Sequence, residues 1–223
     1  MYERVSQESE SLDEEKQSTG LPETLGFLRG GTKPLRSAIE IEKYRFSGNL
    51  DFDANGTLFI TEPPNAVNYV GEPSKEIDRA WRALLEVDGV DLIGAEASSV
   101  QGKTLKKDSG HYLVGIDGFH QIHCLNMIRR ALRPDYYPMN DPEPVFKTHI
   151  NHCVDYVRQA LMCNIDVTPL LVTWNERMNR PMPNFQALHT CRNFAKVKSW
   201  MMKRNGLNHP LPFAPGRPRP APG

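Results

Sequence analysis

The spacing of apolar residues in the middle of the chain predicts an amphipathic helix over residues 74–87. Apolar side chains recur there at i, i+3, i+4, i+7 and i+8, which is the spacing of one helical face. They are Ile77, Ala80, Trp81, Leu84 and Leu85. Ser74 stands where a hydroxyl can accept a hydrogen bond from a free backbone N–H group, so it is predicted to be the N-cap. Trp81 is expected to anchor the core.

Two short segments that flank an Asn-Gly dipeptide predict a β-hairpin. Residues 45–52 and 57–61 are rich in β-forming side chains, and Asn55-Gly56 lies between them. Asn-Gly favours a type I′ turn, in which both central residues have a positive φ. The same dipeptide begins an N-glycosylation pattern with Thr57, which is the alternative interpretation.

The remaining pattern predicts a fold that is mainly α with a small β component. Helices are predicted over residues 118–132, 145–163 and 190–204. An apolar run over 112–116 predicts a strand before the first of these helices, and Asp117 is predicted to cap that helix. The Val, Thr and Ile content of 165–174 is strand-like.

Composition narrows the function classes. The 223 residues include 27 basic and 27 acidic ones, so no net field attracts nucleic acid or an anionic membrane. The hydrophobic content of 39% is typical of a soluble globular protein, and no stretch approaches the roughly 20 apolar residues that cross a bilayer. An acidic tail over 1–35 and a Pro-rich tail over 205–223 are predicted to be disordered. One folded domain remains, at 36–204.

An internal repeat carries the candidate chemistry. Residues 120–132 align with residues 149–161 at an offset of 29, with six of thirteen positions identical. Both copies begin with the motif His-x-x-His-Cys. The four motif histidines are His120, His123, His149 and His152. At about 100° per residue, the two histidines and the cysteine of each copy fall on one helical face.

The four histidines are predicted to bind metal between two antiparallel helices that the repeat relates. Side chains at i and i+3 lie about 5–6 Å apart on a helix, close enough to reach one ion or two adjacent ions. A lone helical histidine is more often a packing or surface residue, but duplication of the whole motif argues against coincidence. Neutral imidazoles suit zinc, copper, iron or nickel, and all-histidine ligation favours an open or redox-active site. Copper binds such ligands most tightly in the divalent series.

Other side chains near these histidines have several possible roles. Cys124 and Cys153 follow the second histidine of each motif, and the alternatives are thiolate ligands, disulfide partners or packing groups. Tyr156 lies in the metal-facing arc as a candidate catalytic residue that relays an electron or a proton, with core packing as the alternative. His189 and Cys191 are predicted to open the last helix and to add a ligand or a disulfide.

At these motifs the chain resembles the UstYa-like family of fungal secondary-metabolism proteins, which carry paired His-x-x-His-Cys motifs. The resemblance covers roughly residues 40–204. The segments that match family signatures are 69–74, 78–81, 119–125, 152–163 and 189–194. By this resemblance the metal ligands are the four motif histidines.

The resemblance implies a copper-dependent oxidase in the biosynthesis of fungal natural products such as mycotoxins or ribosomal cyclic peptides. Such an enzyme uses dioxygen as co-substrate and catalyses oxidative cyclisation or C–H functionalisation of a small-molecule or peptide substrate. A homodimer, or a heterodimer with a related family member, is also expected.

The resemblance further implies a location in the secretory-pathway lumen or on its membrane. Relatives usually carry a transmembrane helix before the catalytic region, whereas here residues 20–36 join the acidic tail to it directly, so the chain is expected to be soluble.

Two other functions fit the same motifs. A copper-dependent halogenase on the same scaffold would differ only in the group that the substrate radical captures. A non-catalytic interaction module would hold zinc in a closed coordination sphere and unfold when the zinc is removed.

Overall fold

The described part of the chain contains eight short strands and four α-helices. The computed structural model describes residues 33–87, 89–138 and 141–204. Within these ranges the helices are α1 (Lys75–Leu84), α2 (Asp117–Ala131), α3 (Glu143–Cys163) and α4 (Phe194–Arg204). The strands are β1 (Ile41–Arg45), β2 (Asn49–Phe52), β3 (Leu58–Thr61), β4 (Gly89–Leu92), β5 (Tyr112–Gly115), β6 (Leu171–Asn175), β7 (Arg180–Asn184) and β8 (Leu188–Arg192). Two short 3-10 helices, Lys33–Ala38 and Gly94–Ala97, complete the described elements.

The predicted mainly α fold is therefore wrong. The eight described strands form four two-stranded antiparallel sheets, which pair β1 with β8, β2 with β3, β4 with β5, and β6 with β7. Strands such as β1 and β7 are short and largely polar or exposed, so they lack the period-two apolar pattern that identifies a strand in a sequence. Pairing of β1 with β8 joins opposite ends of the domain, which local propensity does not report.

Helix α1 and the hairpin follow the sequence pattern, although the turn of the hairpin differs. Ser74 accepts a hydrogen bond from the backbone N–H of Ile77, and Trp81 is buried, as predicted. Strands β2 and β3 form the expected hairpin. Among the described non-glycine residues only Asn65 and Asn179 have a positive φ, so the predicted type I′ turn at Asn55 is wrong.

The hairpin turn is instead organised by Asp53. Its carboxylate accepts hydrogen bonds from the backbone N–H groups of Asn55 and Thr57, at 2.8 and 2.9 Å. Within this turn, only Gly56 has a positive φ, of +78°. A three-residue loop that ends on a left-handed glycine is the alternative hairpin connection, and the Asp53 side chain selects it by satisfying the turn amides.

The hydrophobic core lies where the β4–β5 sheet meets α2 and α4. Its buried members are Val87, Val90, Leu92, Ala97, Phe119 and Met201. Phe119 packs on Phe194 of α4 with ring centroids 5.1 Å apart. Because Phe119 ties the first turn of α2 to this core, the next residue, His120, is turned away from it and lies exposed.

Helices α2 and α4 begin at other residues than predicted. Helix α2 starts at Asp117 itself, with Ile116 in the N-cap position and no side-chain cap, so the predicted capping role of Asp117 is wrong. Helix α4 starts at Phe194, because the preceding residues pair with β1 as strand β8. His189 and Cys191 therefore lie on a strand and do not open the last helix.

Helix α3 packs antiparallel against α2. Asp117 at the start of α2 contacts Tyr156 in the second half of α3, whereas His123 further along α2 faces His149 near the start of α3. Cys153 is the buried residue of α3 in the described structure.

Within the described ranges no helix has the length and apolarity that crossing a membrane requires. The tails predicted for 1–35 and 205–223 lie outside the described residues, except that 33–35 belong to a 3-10 helix.

Candidate metal centre

The structure brings the four motif histidines together as two pairs that cross between α2 and α3. The ring centroids of His120 and His152 are 5.9 Å apart, and those of His123 and His149 are 6.2 Å apart. Along α2, His120 and His123 are also 5.9 Å apart. Each cross-helix pair joins the first histidine of one motif copy to the second histidine of the other, as an antiparallel repeat requires.

These distances fit metal coordination. An imidazole nitrogen lies about 2 Å from the metal it binds, so two rings that share an ion have centroids roughly 5–6 Å apart. The ligand atoms of His120, Cys124 and His152 all lie within 4.8 Å of one another, and no other such group of three occurs among the described residues. Among the motif histidines, His120 and His152 thus belong to the tightest group of possible ligand atoms, and the sulfur of Cys124 lies beside them.

The centre is open to solvent on one side and closed on the other. His120 and His152 are exposed, and His123 and His149 are half-buried. Cys124 and Cys153 are completely buried beneath them. Structural zinc sites, by contrast, are closed on all sides.

The two buried cysteines are neutral thiols between the helices. Neither forms a disulfide, and the Sγ of Cys124 lies 3.6 Å from Nε2 of His120. Burial raises the pKa of Cys124, and burial together with the neighbouring Cys124 raises the pKa of Cys153 to about 12. Both sulfurs thus act as small packing groups here. Only Cys124 is also within reach of the imidazole pair.

Tyr156 lies beside one of the two histidine pairs. Its ring meets His120 edge-on with centroids 4.8 Å apart, and its centroid is 5.4 Å from that of His152. Its hydroxyl donates a hydrogen bond to Oδ1 of Asp117. That bond, followed by partial burial, raises the pKa of Tyr156, because a carboxylate favours the protonated phenol.

Asp117 is the residue of this site that sequence reasoning missed. Its second carboxylate oxygen accepts a bond from the side-chain amide of Gln121 at 2.6 Å, so the carboxylate is oriented on both sides. The available signal was its position three residues before His120, which places it on the same helical face. The prediction of Asp117 as a helix cap did not include its hydrogen bond with Tyr156.

The repeat symmetry breaks at Tyr156 and Asp117. An offset of 29 residues equates Tyr156 with Met127 and Asp117 with Phe146. The positions that the repeat equates with Tyr156 and Asp117 therefore carry neither a hydroxyl nor a carboxylate. The two halves of the centre are alike in their imidazoles and different in the chemistry around them.

His189 and Cys191 do not join the histidine cluster. His189 bonds Oδ2 of Asp166 through Nδ1 at 2.7 Å and stacks on Phe46 with centroids 3.6 Å apart. Cys191 stands opposite Glu42 in the β1–β8 sheet as a free thiol. Both residues therefore lie on the β1–β8 sheet, and Cys191 does not form the predicted disulfide.

The fold and the site define a protein with a cluster of four histidines between two helices that carry the same sequence motif. The family model described as mycotoxin biosynthesis protein UstYa matches residues 30–204. The chain belongs to this family. No solved structure matches it significantly.

Several relatives are similar over much of the chain. The UstYa family oxidase phomYd of Diaporthe leptostromiformis is 32% identical over 81% of this chain and 64% of its own length. The UstYa family oxidase phomYc of the same fungus is 31% identical over 59% of this chain and 57% of its own length. The UstYa family oxidase aprY of Aspergillus flavus is 29% identical over 77% of this chain and 55% of its own length. The chain thus spans between half and two thirds of the length of these relatives.

Proposed function

We propose that this protein is a copper-dependent oxidase of fungal natural-product biosynthesis that carries out oxidative cyclisation or C–H functionalisation. The observation that carries the proposal is the pairing of motif histidines across α2 and α3, at separations that suit shared coordination of metal. Relatives that carry the name oxidase support the reaction class. The substrate is proposed to be a small molecule or a peptide, with dioxygen as co-substrate.

Copper suits this ligand set better than zinc. The imidazole pairs are exposed or half-buried, and the nearby thiols are buried and neutral. Structural zinc sites use thiolate ligands in a closed tetrahedron, which this arrangement lacks. Bound copper would supply one-electron redox chemistry with dioxygen. Zinc held in a non-catalytic module stays the alternative.

The protein's own groups have distinct tasks in this proposal. His120 and His152 would hold the ion at the solvent-open side, where substrate reaches it. Tyr156 keeps its proton on the phenol oxygen, since Asp117 accepts the hydrogen bond. The phenol lies beside the imidazole pair, where it could pass one electron to oxidised copper held by that pair while its proton moves to Asp117. Alternatively, its oxygen could accept a hydrogen bond from the substrate. A homodimer or a heterodimer with another family member stays a prediction.

The decisive experiment is a copper titration of the metal-free protein, followed by electron paramagnetic resonance. We expect Cu(II) to bind with a nitrogen coupling pattern typical of imidazole ligands. His120→Ala and His152→Ala are each expected to lower copper affinity by at least about a hundredfold, since ligand loss exceeds the 10–100-fold effect of an outer-shell partner. His111→Ala is the matched control, because His111 bonds Ser109 at 2.8 Å in a loop before β5.

Activity is then measured as dioxygen consumption by the copper-loaded protein with tyrosine-containing peptides. His120→Ala and His152→Ala should abolish it, whereas circular dichroism should show an unchanged fold. Protein that takes up only zinc after copper loading would contradict the oxidase proposal. Full turnover by the histidine variants would contradict the assignment of the site.

A further inference from the structure

A second cleft lies on the side of α2 that faces α1. It has a volume of about 680 Å³, and its walls come from α1, the later part of α2 and the turn after α2. Arg129 on its wall stands about 180° around the helix from His120, at about 100° per residue. The motif histidines face α3 instead. This cleft is therefore a site separate from the metal centre.

One wall of the cleft is built around Arg129. Its Nη1 donates to the hydroxyl of Tyr137 at 2.7 Å, and its Nη2 lies 3.3 Å from Oδ1 of Asp78. The guanidinium carbon lies 5.2 Å from the ring centre of Trp81 and 4.9 Å from that of Tyr137. Tyr137 in turn donates to Asp78 at 2.6 Å. The charges of Arg129 and Asp78 balance, so this wall of the cleft is internally neutral.

Two further arginines that line the cleft have no carboxylate partner among the described residues. Arg82 of α1 is exposed and Arg130 of α2 is half-buried, and both line the space. Within the described part of the chain, neither guanidinium group pairs with a carboxylate; Arg130 lies over the ring of Tyr137 at 5.2 Å. The remaining acid of the cleft, Glu86, is already bound by Lys198 at 2.6 Å. The cleft therefore carries two uncompensated positive charges.

The cleft also offers apolar surface beside these charges. Tyr136 is 41% exposed, and Leu85 is half-buried. The ring of Tyr136 is held edge-on against Tyr137, with centroids 4.8 Å apart, so its position is defined by its neighbour. Guanidinium groups match carboxylates by paired hydrogen bonds, and fixed aromatic rings bind flat apolar groups.

We infer that this cleft binds an aromatic carboxylate, with its carboxylate between Arg82 and Arg130 and its ring against Tyr136 and Leu85. Charge complementarity selects an anion, and the aromatic wall selects a flat group attached to it. The inference does not depend on copper or on the oxidase proposal, because no motif histidine lines the cleft.

Isothermal titration calorimetry of the metal-free chain tests this inference. The probe is 3-(4-hydroxyphenyl)propionate, and its neutral amide and acetate are the matched comparison ligands. We expect saturable binding of one molecule of the acid, with the amide and acetate weaker by at least about tenfold each. The double variant Arg82→Gln/Arg130→Gln should weaken binding of the acid by at least about tenfold. Arg79→Gln removes one charge from an exposed arginine on α1 outside the cleft, so it is the control for a general charge effect and should leave binding unchanged.

Several results of these titrations would contradict the inference. Absence of saturation up to about 10 mM acid overturns it, as does equal affinity for the acid and its amide. Unchanged binding by a folded double variant, or equal loss in Arg79→Gln, shows that the cleft arginines are not the site. The variant His120→Ala should bind the acid like the wild type, and loss there would place the probe at the histidine cluster instead. Because Arg82 and Arg130 make no ion pair in the described structure, their replacement should leave the fold intact, which thermal melting verifies.

Discussion

The phenol of Tyr156 on α3 donates a hydrogen bond to the carboxylate of Asp117 at the start of α2. Its ring stands edge-on to His120 at 4.8 Å. At the equivalent positions of the repeat are Met127 and Phe146, which form no such bond. The phenol and the carboxylate therefore accompany the His120–His152 pair and have no counterpart at the equivalent positions of the repeat.

Tyr156→Phe should separate metal binding from turnover. The substitution keeps the ring beside His120 and removes the hydroxyl, so copper content should not change, whereas dioxygen consumption should fall by at least about tenfold. Asp117→Asn should give a smaller loss, since it keeps a hydrogen-bond acceptor for the phenol. Tyr44→Phe is the control, because Tyr44 lies exposed on β1. Unchanged turnover by Tyr156→Phe would assign this residue to packing.

The Tyr137 hydroxyl should contribute measurably to stability. It joins Arg129 and Asp78 in a site that is largely buried, so Tyr137→Phe leaves two charged groups with one partner fewer. We expect the free energy of unfolding in urea to fall by about 1–2 kcal/mol. Tyr136→Phe, at the exposed neighbouring position, should change it by less than about 0.5 kcal/mol. Equal effects of the two substitutions would refute this role of the hydroxyl.

Thiol accessibility should follow burial. Denatured, unreduced protein should titrate as four free thiols, since no disulfide is present. In the native, metal-free protein at pH 8, exposed Cys163 should react first with a disulfide reagent. Cys124 and Cys153 should react only on unfolding, because they are fully buried and the pKa of Cys153 is raised to about 12. Fewer than four thiols after denaturation would show that a disulfide has formed.

Acid should weaken the contact between Asp166 and β8. Hydrogen bonds from Thr168, and then from His189, lower the pKa of Asp166 from 3.8 to about 2. Because the folded-state pKa lies below the unfolded one, the stabilisation is present above pH 3.8 and is lost as pH falls through about 2. Asp166→Asn should therefore lower the melting temperature at pH 6, and the difference from wild type should shrink between pH 4 and 2. Asp108→Asn, exposed in the loop before β5, should show no such trend.

Local pattern was sufficient for the elements that carry the histidines. The helices α2 and α3, the cap at Ser74 and the burial of Trp81 all appear as predicted, with boundaries shifted by a few residues. Helical periodicity and capping act within a few residues of sequence, so they can be recognised in the sequence. The same holds for the shared face of His120 and His123, since i and i+3 neighbours are set by the helix alone.

Only the tertiary structure decided the rest. The pairing of β1 with β8 and the start of α4 at Phe194 depend on contacts between distant segments, which made the mainly α prediction wrong. Asp117 is of a residue type that often caps helices, yet it accepts a hydrogen bond from Tyr156 because α3 packs alongside the start of α2. Likewise, the sequence determined which histidines could act together, but the antiparallel docking of two helices decided that His120 faces His152 and that His123 faces His149. Ligand types are a local property of the chain, whereas their mutual distances depend on how separate elements pack.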